Sequence, residues 1–458
     1  MRNLSGYPVT IAGFYFRYDG VMFRYALLAV MVAAGFAQAQ DAAAKKAPAE
    51  RPAPTEVAGI HVNYDEALVG NYTLPNPLLL SSGKPVKDAK TWTEKRRPEL
   101  IQLFEENEYG RAPGRPAAMS FDVFDKGTPA FDGKATRRQV TIYFSADKKG
   151  PQMDLLLYVP AHAEKPVPLL LNISFSANSS TVNDPGVKQG EIWYARDKKK
   201  MPAPAGGGFG RIDAARVIDA GFGFGTIYYG DIDPDFPGGV PLGVRALYLK
   251  AGQTEPAPDE WGAIAAWAWG LSRAVDYLET DRAVDAKRVA ILGVSRLGKT
   301  VMWAGAHDPR IALVIASCSG EGGAALSRRN YGETIAHLVA PARYPYQFCA
   351  NYAKYAEHVD QLPVDAHELV ALMAPRPVLL QTGSTDNWSD PKGEFLAAVA
   401  AEPVFRLFGR QGLGTDRWPA PGTPILHDIG YSMHAGGHGT LPGDWDQYLA
   451  FLKQHLVR

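Results

Sequence analysis

Cysteine is scarce in this chain: only Cys318 and Cys349 occur among 458 residues. Two thiols cannot build a disulfide framework, and neither stands at metal-ligand spacing from a histidine, so a cross-linked mini-domain and a zinc module are excluded. One bridge between them stays chemically permissible if the chain is exported. An excess of charge is also lacking, with 48 Lys and Arg against 48 Asp and Glu. Nucleic-acid binders leave a basic footprint, so no nucleic-acid partner is expected. Long hydrophobic runs are missing too. The apolar stretch Tyr25 to Phe36 is too short to span a bilayer. No internal repeat is visible, and from about His61 onward no second Pro-rich boundary interrupts the chain.

What is present is an ordinary globular composition, 46% apolar and 21% charged, over a length that can bury a large core. Arg24 precedes the short apolar run, and Ala37-Gln38-Ala39 supplies small residues where a signal peptidase cuts, so residues 1–39 read as a secretory signal peptide. The 21 residues ahead of Met22 carry no signal features of their own, which makes Met22 a candidate start. Residues 40–56, rich in Ala, Pro, Lys and Glu, read as a disordered linker. Residues 57–458 then read as a single catalytic domain. The expectation is an exported protein, periplasmic or secreted, with no membrane contact after signal removal and acting as a monomer. Asp197 to Gly208, polar and then Gly-rich, reads as a surface loop.

Strand and helix patterns alternate through that domain. Arg138 to Phe144 and Met153 to Pro160 look like an antiparallel pair, and Val167 to Ser174 like a buried strand. Phe222 to Tyr229, Val289 to Val294, Ile311 to Ala316, Arg376 to Gln381 and Pro424 to Gly430 continue the series, with a long helix over Trp261 to Leu278. Near-continuous apolar strands alternating with helices predict a mostly parallel sheet covered on both faces, an α/β fold of three layers whose sites lie at the carboxyl ends of strands.

The stretch Gly293 to Lys299 places Ser295 at the apex of a strand, sharp turn and helix. A serine so placed exposes its hydroxyl at the sheet edge, next to the helix's first N–H groups. Serine is a weak nucleophile and needs a base that is itself oriented by a carboxylate. Asp386 and Asp390 follow the strand that ends at Gln381, and His438 follows the last strand, so Ser295, Asp386 and His438 run in the chain order of α/β-hydrolases. Each has a plainer reading: Ser295 as a helix cap, Asp386 as a turn residue, and His438 in competition with His434 and with His427 inside the strand. The Gly436-Gly437 pair favours His438.

The elbow carries its second glycine one position late, at Gly298, and the run Gly-x-Ser-Arg-x-Gly-Lys resembles the signature of glucuronoyl esterases, carbohydrate esterase family 15. Similar to the bacterial members are also Arg96 to Phe104, Tyr109 to Arg111, Gly262 to Gly270, Ser319 to Ala324, Ser327 to Arg329 and Gly436 to Gly439. The resemblance covers about Val57 to the end. It implies an α/β-hydrolase fold and hydrolysis of the ester between 4-O-methyl-glucuronate on glucuronoxylan and a lignin alcohol, with no metal or organic cofactor. It implies an oxyanion role for Arg296, sugar-hydroxyl contacts for Lys299 and Glu333, and a cover over the sugar from Trp388, with Phe175 lining the same pocket. In many members the acid of the triad stands where this chain has Cys318, and a thiol cannot replace an ionised carboxylate beside an imidazolium. Asp386 is the expected substitute and Glu321 the alternative. Rival readings are an acetyl or feruloyl esterase of xylan, and a carbohydrate-binding relative without turnover.

Overall fold

Alternate residues of single strands go to two different cores, and this divides the molecule into layers. In the strand Val167–Ser174, Leu169 and Leu171 join one buried cluster while Leu170 joins the other. A strand apolar on both faces can sit only between two covering layers. The computed structural model describes residues 54–204 and 212–457. The signal peptide, the Met22 start and nearly all of the linker lie outside the described residues, as does the end of the Gly-rich stretch.

One ten-stranded sheet organises the fold. Its strands are β1 (Ser120–Ala130), β2 (Ala135–Tyr143), β3 (Gln152–Pro160), β4 (Val167–Ser174) and β5 (Gly223–Tyr228), then β6 (Val284–Val294), β7 (Leu313–Ser317), β8 (Val378–Gly383), β9 (Ile425–Leu426) and β10 (Ile429–His434). Their spatial order is β9-β10-β8-β7-β6-β4-β5-β3-β2-β1. The six strands from β10 to β5 run parallel, and antiparallel strands continue the sheet on both margins. The sheet is therefore mixed, with a parallel centre of the expected kind.

Helices α1 (Ala263–Leu278), α2 (Arg296–His307) and α3 (Pro391–Leu407) contribute Trp267, Trp303 and Phe395 to the larger cluster. Helix α4 (Asp444–Leu456) and the short helix Ala214–Asp219 close the other face with Tyr448, Phe451 and Val217. Burying a large side chain is worth about 2 kcal/mol each, so these two layers supply most of the drive to fold. No helix among the described residues is long and apolar enough to cross a membrane.

Four local expectations need correcting. Strand β1 has no counterpart in the sequence reading, because it is an edge strand with mostly exposed residues and a weak apolar alternation. Strand β6 begins at Val284 rather than Val289, with a register shift between those residues against β4. His427 lies in the turn between β9 and β10, partly exposed, with Nδ1 on the Gly412 carbonyl, so it does not stand inside a strand. The expected loop after Asp197 contains a strand, Lys199–Pro202, paired with Glu191–Tyr194 in a hairpin.

Candidate active site

The carboxyl ends of β6, β7, β8 and β10 converge on one cleft of about 320 Å³, lined among others by Ser295, Arg296, Lys299, Cys318, Glu333, Asp386, Trp388 and His438. Six parallel strands end on the same side, so residues distant in sequence meet there.

Ser295 joins β6 to α2 with φ +59° and ψ −128°, a left-handed backbone that a side-chain-bearing residue rarely adopts. Such strain costs about 1–3 kcal/mol and persists where the surroundings enforce it. Here the Ser295 N–H donates to the Ser317 carbonyl at 2.8 Å, tying the elbow to β7. The glycine pattern has a steric cause. A Cβ on Gly293 would overlap the Leu297 carbonyl, and one on Gly298 would come within 2.9 Å of the Ser317 oxygen. The late glycine is therefore where α2 crosses β7.

His438 Nδ1 lies 2.7 Å from Asp386 Oδ2 and 3.2 Å from Ser389 Oγ. The Asp386 carboxylate is almost buried, while the imidazole is 37% exposed and faces the cleft. Cys318 Sγ, a carboxylate oxygen of Asp386 and a ring nitrogen of His438 lie within 4.8 Å of one another. Burial pushes the Cys318 thiol well up, with the Asp386 charge adding to it, so the sulfur stays neutral. Both cysteines are free and buried.

The alternative acid, Glu321, is occupied elsewhere. Its Oε1 accepts from Ser327 Oγ at 2.7 Å and from Tyr352 OH at 2.9 Å, and burial raises its pKa to about 8. Asp390 caps α3 through Gly393 N–H and pairs with buried Arg329 at 2.8 Å. His434 holds Asp444 Oδ2 at 2.8 Å and the Gly437 carbonyl at 2.9 Å, bracing the turn that carries His438.

Arg296 Nη1 lies 2.5 Å from Asp235 Oδ2, and its guanidinium stacks 4.6 Å from the Tyr344 ring. Asp235 also accepts from Tyr229, Tyr346 and Gln347. Burial opposes the Arg296 charge, but Asp235 more than offsets it and raises the pKa. Lys299 Nζ donates to the Ser319 carbonyl at 2.6 Å and stands 3.9 Å from Glu333 Oε2, its pKa lowered by burial. Arg343 donates to Glu333 Oε1 at 2.8 Å and stacks on Tyr344 and Trp388.

Phe175, expected in this cleft, is not part of its lining and instead lines a second hollow that shares His438 with it. Sequence reasoning missed Asp235, Arg343, Tyr344, Gln347 and Ser389 at the site. Asp235 carried a usable signal, since it follows β5 among three closely spaced aspartates at a strand's carboxyl end.

Beneath the site, Glu394 Oε1 accepts from Gly320 N–H at 2.7 Å and from Ser319 Oγ at 3.2 Å, while Oε2 has no partner. Burial raises its pKa from 4.5 to about 8. The folded state then keeps a proton that the unfolded chain has lost, so this residue removes stability as pH rises from about 4.5 to about 8. Glu394→Gln keeps the acceptor and cannot ionise. Urea unfolding should show it more stable than the parent by at least about 1 kcal/mol near pH 8, with the two converging below about pH 5.

A charged cation beside a strained serine, with a carboxylate-paired histidine in the same cleft, is an arrangement suited to acyl transfer. Comparison with known proteins agrees. The family profile described as "Glucuronyl esterase, fungi" matches residues 256–409. The carbohydrate esterase MZ0003, from an unknown prokaryotic organism, is 45% identical over 403 residues, 86% of this chain and 92% of that protein. A glucuronoyl esterase structure from Solibacter usitatus is 48% identical with a TM-score of 0.81, covering 85% of this chain and all (100%) of that one. A promiscuous CE15 esterase from a marine bacterial metagenome is 44% identical with a TM-score of 0.78, covering 86% and 100%. The chain is a carboxylic ester hydrolase of the α/β-hydrolase fold and belongs to the glucuronoyl esterases of carbohydrate esterase family 15.

Proposed function

We propose that this esterase hydrolyses the ester joining the carboxyl carbon of (4-O-methyl-)D-glucuronate on glucuronoxylan to an alcohol of lignin. The observation that carries the reading is the 2.7 Å contact of His438 Nδ1 with Asp386 Oδ2 in the cleft that Ser295 also lines. With Nδ1 so held, Nε2 is the base. Ser295 Oγ bonds to the uronate carbonyl carbon as its proton passes to Nε2 and the carbonyl electrons move onto oxygen. Collapse breaks the bond to the alcohol oxygen, which takes the proton from His438. Water then attacks the uronoyl-enzyme through the same base and releases the acid.

Arg296 and backbone N–H groups hold the oxyanion. Three other donors, Tyr229, Tyr346 and Gln347, hold Asp235, and Asp235 fixes the guanidinium before substrate arrives, so little reorganisation is needed during the reaction. Arg296→Met is expected to lower kcat by about 10²–10³-fold with a smaller change in KM, as measured by steady-state kinetics. Lys299 and Glu333 offer a donor and an acceptor to sugar hydroxyls, and Trp388 offers an apolar face and an N–H. Arg343 holds Glu333 for that contact. No metal or organic cofactor enters the scheme. The N-terminal leader pattern supports an exported enzyme that meets its polymer outside the cytoplasm.

The test compares a benzyl ester of glucuronate with an acetyl ester of xylose. The purified protein should cleave the uronate ester with kcat/KM at least about 100-fold higher, because polar groups built for uronate hydroxyls are left unpaired by the other substrate. Faster cleavage of the acetyl ester would keep the nucleophile and remove the uronate from the assignment.

A further inference from the structure

Cys318 has no part in the proposed mechanism, yet it stands in the wall of the cleft with Asp386 and His438. Its Sγ, a carboxylate oxygen of Asp386 and a ring nitrogen of His438 all lie within 4.8 Å of one another. The backbone holds the three in that relation. Cys318 follows β7 with φ +46°, and its N–H donates to the Gln381 carbonyl on β8 at 2.7 Å. Its Sγ accepts from the N–H of Gly439, the residue after His438, at 3.4 Å. His438 Nδ1, 2.7 Å from Asp386 Oδ2, points into the same group. Nothing local in the chain marks the trio, since the ends of β7, β8 and β10 each supply one member. All three line the cleft, so an ion reaches them from solvent.

Thiolate, imidazole and carboxylate are the donor types that zinc takes, whereas magnesium and calcium want a shell of oxygens. Ligand atoms around a tetrahedral zinc stand roughly 3.3–3.7 Å apart, so side-chain shifts of about an ångström would close the group on the ion. We propose that Cys318 Sγ, an Asp386 carboxylate oxygen and His438 Nδ1 form a zinc site, with cleft water as fourth ligand, and that the bound ion silences the esterase. The ion displaces the thiol proton to solvent, and nothing is oxidised or reduced. Thiolate and carboxylate then cancel its two charges, so no net charge is buried at the site. The neighbouring cations are already paired, Arg296 with Asp235 and both Lys299 and Arg343 with Glu333. Silencing follows from the tautomer. With the ion on Nδ1, the neutral ring carries its proton on Nε2, the nitrogen that has to accept the Ser295 proton. Binding rests on the geometry alone, while silencing rests on the roles of Ser295 and His438 proposed above.

The experiment uses the full-length enzyme without a polyhistidine tag, with Zn²⁺ for kinetics and Cd²⁺ as a stand-in whose bond to a thiolate absorbs in the ultraviolet. Zn²⁺ should inhibit hydrolysis of benzyl glucuronate at concentrations at least about 100-fold below any effect of Mg²⁺, and a chelator should restore the rate. Cd²⁺ should add a thiolate band that saturates at one ion per chain, alike in the parent, in Ser295→Ala and in Cys349→Ala. Cys318→Ser should lose that band and raise the inhibition constant for Zn²⁺ by about 30-fold or more, and His438→Gln should weaken Cd²⁺ binding at least about tenfold. No band in the parent, or a band that survives Cys318→Ser, would overturn the site. The band needs no turnover, so it stands or falls apart from the esterase reading. Cd²⁺ held by Cys318 in an enzyme that Zn²⁺ does not inhibit would instead overturn the silencing, and with it the assignment of Nε2 as the base. Should Cys318→Ser fail to fold on a melting curve, His438→Gln decides, and an unchanged Cd²⁺ affinity there would overturn the site.

Discussion

Ser295→Ala should abolish turnover of benzyl glucuronate, with kcat reduced by about 10⁵-fold or more. The size of the effect follows from chemistry rather than folding. No other hydroxyl is placed at the left-handed apex of the elbow, and water bound nearby lacks the aligned approach that the β6 to α2 junction gives Ser295. Alanine loses the nucleophile but keeps the Ser295 backbone bond to Ser317, so the melting temperature should move by only a few degrees. Calorimetric titration with methyl glucuronate should still show binding, because Lys299, Glu333 and Trp388 are untouched. A variant that kept more than about one part in a thousand of the parent kcat would remove Ser295 from the mechanism.

Asp386→Asn carries the next largest expected loss, about 10⁴-fold in kcat. In the proposed mechanism the carboxylate holds the imidazole in the tautomer that frees Nε2 and stabilises the imidazolium formed during attack. An amide facing Nδ1 at 2.7 Å does neither. Cys318 lies close enough to serve only if it were an anion, and burial keeps its thiol protonated. Glu321→Gln should leave kcat within about threefold, since its bonds run to Ser327 and Tyr352 and it does not line the cleft. Adding Cys318→Asp to Asp386→Asn should recover at least about tenfold, because aspartate tolerates the positive φ of +46° at that position and brings a carboxylate near His438. Equal losses in Asp386→Asn and Glu321→Gln would overturn the assignment of the acid.

Some of this architecture was legible in the residues and some was not, for physical reasons. Val167 to Ser174 announces itself because a strand buried on both faces must be apolar at every position, and the structure gives it those same bounds. The elbow is legible because glycines at 293 and 298 mark backbone crossings that a side chain would block. Asp235 was not singled out, because its partner Arg296 lies 61 residues away and nothing local pairs them. Arg343 escaped for a similar reason, in a connection rich in short helical turns where neither period of two nor of 3.6 applies. Phe175 was assigned to the uronate cleft because it follows a strand end, yet a strand end has two sides and the sequence does not choose between them.

The order of the sheet has one more consequence, for how the enzyme fails on warming. Strand β6, which ends at Ser295, the proposed nucleophile, has four strands on one side and five on the other, whereas β10, which leads into the His438 turn, is next to the margin, with only the two-residue β9 beyond it. Amide hydrogens of β6 should therefore be among the last to exchange with deuterated solvent, those of β10 among the first within the parallel block, and those of the antiparallel β9 earlier still. Heat inactivation would then begin as detachment of the base from a nucleophile still in place, reversible on cooling as long as the middle of the sheet has not opened.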